Sequence, residues 1–222
     1  VAGDAVADPL EELLAGLAVN GEEVVHADAG DDDVAGGDAG DVEVPVTPEG
    51  AALAADAALL DAYASRDFDR VIALAEAAAD GSLGVQAWLL WVRALANQGC
   101  LEDAMQVATR AAQRHGPNAE LLFLDAVLLL QGGRAADAAL LARRALYLDR
   151  RMIVAHMALA DAEQRTGNVD AAQRSLRNAA VLLAELAPDA YVPASDGETA
   201  GRLAELVRVR LRLLNENTRA NT

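Results

Sequence analysis

From Ala51 onward, apolar residues return every three or four positions in helix-length runs, broken by short polar or glycine-containing gaps. The runs fall at 51–64 and 68–80, 85–97 and 101–114, 119–131 and 135–148, and 153–165 and 169–184. Gaps this short make consecutive helices antiparallel neighbours, so the pattern predicts four helix pairs. The pairs echo one another at a spacing of 34 residues: Gly99, Gly133 and Gly167 repeat, as do Ala104, Ala138 and Ala172, and Ala111, Ala145 and Ala179. A further amphipathic run ends near Leu214, with Leu203, Leu206, Val207, Leu211 and Leu214 on one stripe.

A repeat of this length built from helix pairs is the mark of a tetratricopeptide solenoid, in which each pair buries its apolar face against the next. The expected fold is therefore all-α: a tetratricopeptide-repeat array of about four helix pairs plus a C-terminal capping helix. The repeated glycines stand where an antiparallel turn demands positive φ. The first pair has Arg66 there, one residue short of the period, so its turn is expected to differ. The repeated alanines, with Val71 and Ala78 in the first pair, let helices approach closely. Phe68, Leu101 and Val169 are placed to fill the space under their turns, which Ala135 fills poorly in the third pair, and Trp88 and Trp91 to pack between helices. The array spans 51–187. Residues 188–222 form a loop containing Pro188 and Pro193, followed by the capping helix.

Charge divides the chain differently. Residues 1–50 carry 14 of the 35 acidic residues and none of the 18 basic ones, leaving 21 acidic against 18 basic side chains in the remainder. The net charge of -17 thus belongs mainly to an acidic flexible tail or linker, with a short helix expected at 9–19. No clustered positive surface exists to grip a phosphate backbone, which argues against nucleic acid as a partner. No apolar stretch is long enough to insert in a membrane, and no basic leader precedes an apolar run, so a cytoplasmic location is expected.

Catalytic chemistry finds no foothold in this pattern. Cys100 is the only cysteine, which excludes disulfides within the chain and thiolate metal clusters. His26, His115 and His156 share no ligand spacing, and the run Asp31–Asp33 lacks the alternating ligands of a calcium loop. The glycines at 36, 37 and 40 lie among aspartates that repel phosphate. Ser195 and Asp196 have no nucleophile elbow or nearby histidine around them, and helix capping is their expected role. No catalytic, metal-binding or cofactor-binding residue is expected, and no cofactor.

Binding is the better-supported chemistry. In a solenoid of this kind the first helix of each pair faces the groove. The period places Gln86, Leu89, Arg93 and Asn97 there, then Glu120, Phe123, Val127 and Gln131, then Met157, Asp161, Gln164 and Arg165. Apolar sockets among amides and charges suit an extended peptide or a helix. A second candidate is the basic patch of Arg143, Arg144, Arg150 and Arg151, suited to an acidic partner. The expected partner is a protein or peptide; a purely structural assembly module is the bland alternative.

Three segments carry a narrower resemblance: ALYLD at 145–149, RNA at 177–179 and SDG-x-TAGRL at 195–203. With the surrounding residues 143–183 and 192–206 they resemble the tetratricopeptide extension of chemoreceptor methyltransferases of the CheR type. The likeness covers about 51–210 and is strongest beyond 119. It implies a module that regulates or targets chemosensory signalling through protein contacts, or a regulatory fragment of an S-adenosylmethionine-dependent glutamate methyltransferase. The residues ahead of the array are too few for such an enzyme's catalytic domain, so no methyl-donor residue carries over. Arg150 also stands where the family's ALYLDP has proline.

Overall fold

The computed structural model describes residues 48–78 and 83–220. The expected helix at 9–19, the Asp31–Asp33 run, the glycines at 36, 37 and 40, and His26 lie outside the described residues. Helix α1 (Pro48–Ala64) opens on a proline, whose fixed φ and missing N–H suit a first helical turn. Pro48, Glu49 and Gly50 are therefore helical and belong to the array's first helix, not to the expected linker of residues 1–50. The pairs continue as α2 (Phe68–Ala77), α3 (Val85–Asn97), α4 (Leu101–His115), α5 (Ala119–Gln131), α6 (Ala135–Leu148), α7 (Ile153–Arg165) and α8 (Val169–Leu183), and α9 (Ala200–Ala220) follows.

This is an all-α repeat solenoid of helix pairs with a capping helix. The first helices of neighbouring pairs touch directly, α1 with α3, α3 with α5 and α5 with α7. Each second helix fills the cleft between its own partner and the next first helix, while second helices form no comparable row among the described residues. Crowding of first helices and splaying of second helices bends the array towards its first-helix side.

Alanine makes that crowding possible. Ala104, Ala138 and Ala172, like Ala111, Ala145 and Ala179, are fully buried at 0% exposure, as is Val71 in the first pair. Trp88 and Trp91 pack inside the array, their rings 5.3 Å apart, with the Arg110 guanidinium lying over both.

All four turns within pairs share one backbone geometry. Gly99, Gly133 and Gly167 adopt φ of 77°, 74° and 79°, and Arg66 adopts 58°. The residue after each donates its N–H back five positions: Asp67 to Ala62, Cys100 to Leu95, Arg134 to Leu129 and Asn168 to Glu163. This is the Schellman closure of a helix end. The first turn therefore does not differ from the others, contrary to expectation. The closing hydrogen bonds are worth enough to hold an arginine in the left-handed region.

Candidate protein-binding face

After α8 the chain does not pass straight to the capping helix. Residues 188–199 turn back across the first-helix side as a small hairpin. Val192 N donates to Glu198 O at 2.9 Å, Ala200 N to Ala190 O at 2.9 Å, and Tyr191 and Thr199 form an antiparallel bridge. The tip is forced tightly round: Ala194, Asp196 and Gly197 all have positive φ, at 62°, 53° and 92°. Ser195 is buried and its hydroxyl donates to Val192 O at 2.7 Å, tying the tip together from inside. Ser195 is thus not the helix cap expected from sequence. Thr199 stands before α9, its hydroxyl oxygen 3.4 Å from Arg202 N. Gly201 is required for close approach, because an added Cβ would lie 2.9 Å from the Pro188 carbonyl oxygen.

The hairpin tip delivers Asp196 to Arg93 on α3. Arg93 donates one guanidinium nitrogen to Asp196 and another to Glu120 Oε1 at 2.6 Å. Glu120 is fixed in the first turn of α5, where the Asn118 side chain caps the N–H groups of Glu120 and Leu121 at 2.9 and 3.1 Å. Asn97 braces Arg93 from the next turn of α3, its amide donating to the Arg93 carbonyl at 2.9 Å. Tyr63 of α1 lies beside the cluster, close enough for the Asp196 and Arg93 charges to act on its hydroxyl. Burial foremost, then the Asp196 charge, push that hydroxyl up to about 12. Burial also raises the Asp196 carboxyl; Glu120 adds to this, and Arg93 opposes it. Beside the cluster, a cavity of about 430 Å³ opens between the hairpin and the starts of α5 and α7, with Glu120, Met152, Ile153, Leu182, Val192 and Pro193 among its walls.

A second polar contact fixes the capping helix. Arg210 of α9 is only 6% exposed and donates to Asp161 of α7 at 3.3 Å, while Arg165 reaches Asp161 at 2.9 Å. Arg165 also donates to the Leu130 carbonyl at 3.1 Å, linking α7 to α5. Leu203, Val207 and Leu214 bury the rest of the α9 stripe, and Leu206 and Leu211 are half-buried.

These contacts revise the expected groove. Gln86, Gln131 and Gln164 are exposed, and Arg93, Asn97 and Glu120 meet in the cluster around Asp196. Leu89, Phe123, Val127 and Met157 are core residues at 1%, 4%, 8% and 0% exposure, not open sockets. First helices packed against neighbours on both sides leave little of each facing solvent. Asp161 is likewise buried in its pairs with Arg210 and Arg165, so it is no free groove carboxylate. Sequence reasoning missed Tyr63, Asp196 and Arg210 as partners on this face.

The expected basic patch is dispersed. Arg143 turns to Glu163 of α7 at 2.9 Å, and Arg151 to Glu185 at 2.6 Å. Arg144 and Arg150 are exposed, and the Arg150 carbonyl contacts His156 at 3.1 Å. Cys100 is half-buried ahead of α4, and His115 sits edge-on to Trp88. Among the described residues no group of three or more His, Cys, Asp and Glu is placed to hold a metal ion, and no helix is long and apolar enough to cross a membrane.

No protein-family model and no curated protein matches the chain. Its fold is matched by solved structures of MamA. One, described as the crystal structure of MamA protein, aligns with a TM-score of 0.54 at 15% identity, over 76% of this chain and 88% of MamA. MamA from MSR-1 gives 0.52 at 12% identity, over 77% and 98%. MamA from AMB-1 gives 0.51 at 14% identity, over 60% and 79%. At these identities the likeness is one of fold: a tetratricopeptide-like solenoid.

Proposed function

We propose that the chain is a protein-binding module and that its binding face is the first-helix side around Arg93. One observation carries this reading: that side already holds a non-helical stretch of polypeptide, the hairpin at 188–199, through charge on Arg93 and apolar contact beside it. A surface that seats one such segment has the donors and shape to seat another. The fold supports a non-enzymatic role as well, since the ionisable groups on this face are engaged in holding elements together.

The setting we propose is chemosensory signalling, with the module regulating or targeting a CheR-type methyltransferase. Support comes from ALYLD, RNA and SDG-x-TAGRL, three segments that do not follow from repeat packing alone. Titration of the full chain against a purified chemoreceptor cytoplasmic domain and a purified CheR-type catalytic domain tests it. Saturable binding to either is expected; failure with both removes the chemosensory setting. The same segments favour a regulatory fragment as the second reading, which a continuous methyltransferase reading frame upstream of Val1 would establish.

A further inference from the structure

We propose that the hairpin at residues 190–198 is a displaceable latch on Arg93. The partner that displaces it presents an aspartate or glutamate next to an aliphatic residue in an extended or turn segment. This rests on reading the first-helix side as a polypeptide-binding face.

The self-contact is sound enough to form and poor enough to lose. Arg93 and Asp196 have side chains only 12% and 10% exposed, so their contact is largely desolvated. Yet a single guanidinium there serves two carboxylates, Glu120 and Asp196, which repel each other. Asp196 reaches Arg93 through one terminal nitrogen, while Arg93 Nε and Asp196 Oδ2 are buried without a hydrogen-bond partner among the described residues. A carboxylate not held by the hairpin's backbone can span both terminal nitrogens end-on, the two-point contact that Asp196 does not make, and such forked pairs are the stronger ones. The tip also holds two non-glycine residues, Ala194 and Asp196, in the left-handed region, a conformation that persists only while its surroundings enforce it.

The hairpin is built to lift without unravelling the array. Its base is tied separately, by Gly201 N to Pro188 O at 2.8 Å, and α9 is anchored to α7 by Arg210 and Asp161. The tip can therefore leave Arg93 while the capping helix stays in place. The neighbouring cavity explains the aliphatic half of the motif. Met152, Ile153 and Leu182 face Val192 and Pro193 across it, and a partner's aliphatic side chain would meet the same wall.

The test uses the full chain and two cyclised peptides carrying the hairpin sequence 190–198, one with its aspartate and one with asparagine in that place. Asp196→Asn in the protein should release the latch. Hydrogen exchange at 190–198 should then speed about ten- to hundredfold, the range expected for losing one charge-assisted contact, with α3, α5 and α7 unchanged. The aspartate peptide should bind this variant about tenfold or more tightly than it binds the wild type. The asparagine peptide, or an added Arg93→Gln, should remove that gain. Should Arg93→Gln fail to fold, the comparison of acid and amide peptides on Asp196→Asn alone decides the matter. Unchanged exchange in the hairpin, or exchange rising throughout the array, would overturn the latch and leave the binding face standing. A released hairpin over an intact array with no preference for the acid peptide would overturn the binding face as well.

Discussion

Substituting Gly133 separates the backbone from the side chain as the cause of the repeated glycine. Its φ of 74° lies in the left-handed region, and a Cβ built there meets no atom within 4 Å. Steric crowding is thus absent, and only the backbone preference remains. That preference costs an L-residue about 1–2 kcal/mol, while replacing glycine narrows the unfolded ensemble and returns about 0.4–1 kcal/mol. Gly133→Ala should therefore destabilise by about 1 kcal/mol, and Gly133→Gln by the same amount, since the extra atoms point into open space. Gly133→Asn should cost less, because asparagine tolerates this region. At a urea slope of about 1–3 kcal/mol/M, the alanine and glutamine variants should shift the unfolding midpoint down by about 0.3–1 M with the slope unchanged. Arg66→Gly is the reciprocal test. Relief of its left-handed strain is offset by added unfolded-state freedom and by loss of the cation–π contact with Phe68, whose centroid lies 6.0 Å from the guanidinium. Its net effect should lie within about 0.5 kcal/mol of zero. A neutral Gly133→Ala, or a glutamine variant far worse than alanine, would refute the backbone explanation.

Asp125 on α5 is half-buried, and burial pushes its carboxyl up to about 6. Because the folded state holds this proton more tightly than the unfolded chain, its contribution is greatest below pH 4 and is lost as pH rises through 6. Discounted for remaining water contact, Asp125→Asn should raise stability by about 1 kcal/mol at pH 7 and by almost nothing at pH 4; equal gains in urea melts at both would refute this. Arg210→Met should destabilise by about 1–2 kcal/mol, since Arg165 still pairs with Asp161, whereas Asp161→Leu with Arg210→Leu should come close to neutral; thermal melts that rank the double variant below the single one would refute the pairing. Ala138→Leu, at a position on α6 with 0% exposure, should cost about 1–3 kcal/mol through overpacking; an unchanged urea midpoint would show that the small residue is not needed for close approach.

Most of the array was legible in the sequence because local rules fix it. Helical period, glycine turns and small residues at the contact points depend on neighbours within one repeat, so the helix ends at 97, 131 and 165 follow directly. The first turn misled because Arg66 breaks the residue pattern without breaking the backbone pattern: its hydrogen bonds match those of the glycine turns. The groove misled for a different reason. Helical period says which side of a helix faces away from its own partner; it does not say whether adjacent first helices close over that side. Met157 is fully buried by that closure, while Gln131 and Gln164 remain outside it. The hairpin lay beyond reach because its contacts join residues far apart in the chain. Arg93 and Asp196 are 103 positions apart.

A trace of that long-range design is nonetheless present in the repeat itself. Arg93, Val127 and Asp161 occupy one equivalent position in three successive first helices. Packing alone would ask for the apolar residue that only the middle repeat supplies. The outer two carry opposite charges, and each meets its opposite from the segment after the last pair: Asp196 on Arg93, and Arg210 on Asp161. Had the two charges been alike, the terminal segment would have had two equivalent landing points. With opposite signs, laying it down in the reverse direction places Asp196 against Asp161 and Arg210 against Arg93, two like-charge contacts in largely dry surroundings. The alternation thus fixes the placement of the C-terminal segment, just as a buried polar residue fixes register in a coiled coil. It also divides the labour between the two contacts. Asp161 is shared by Arg165 and Arg210 and is fully enclosed, which suits a permanent anchor. Arg93 is shared by two carboxylates that repel each other, which suits exchange of one acidic ligand for another.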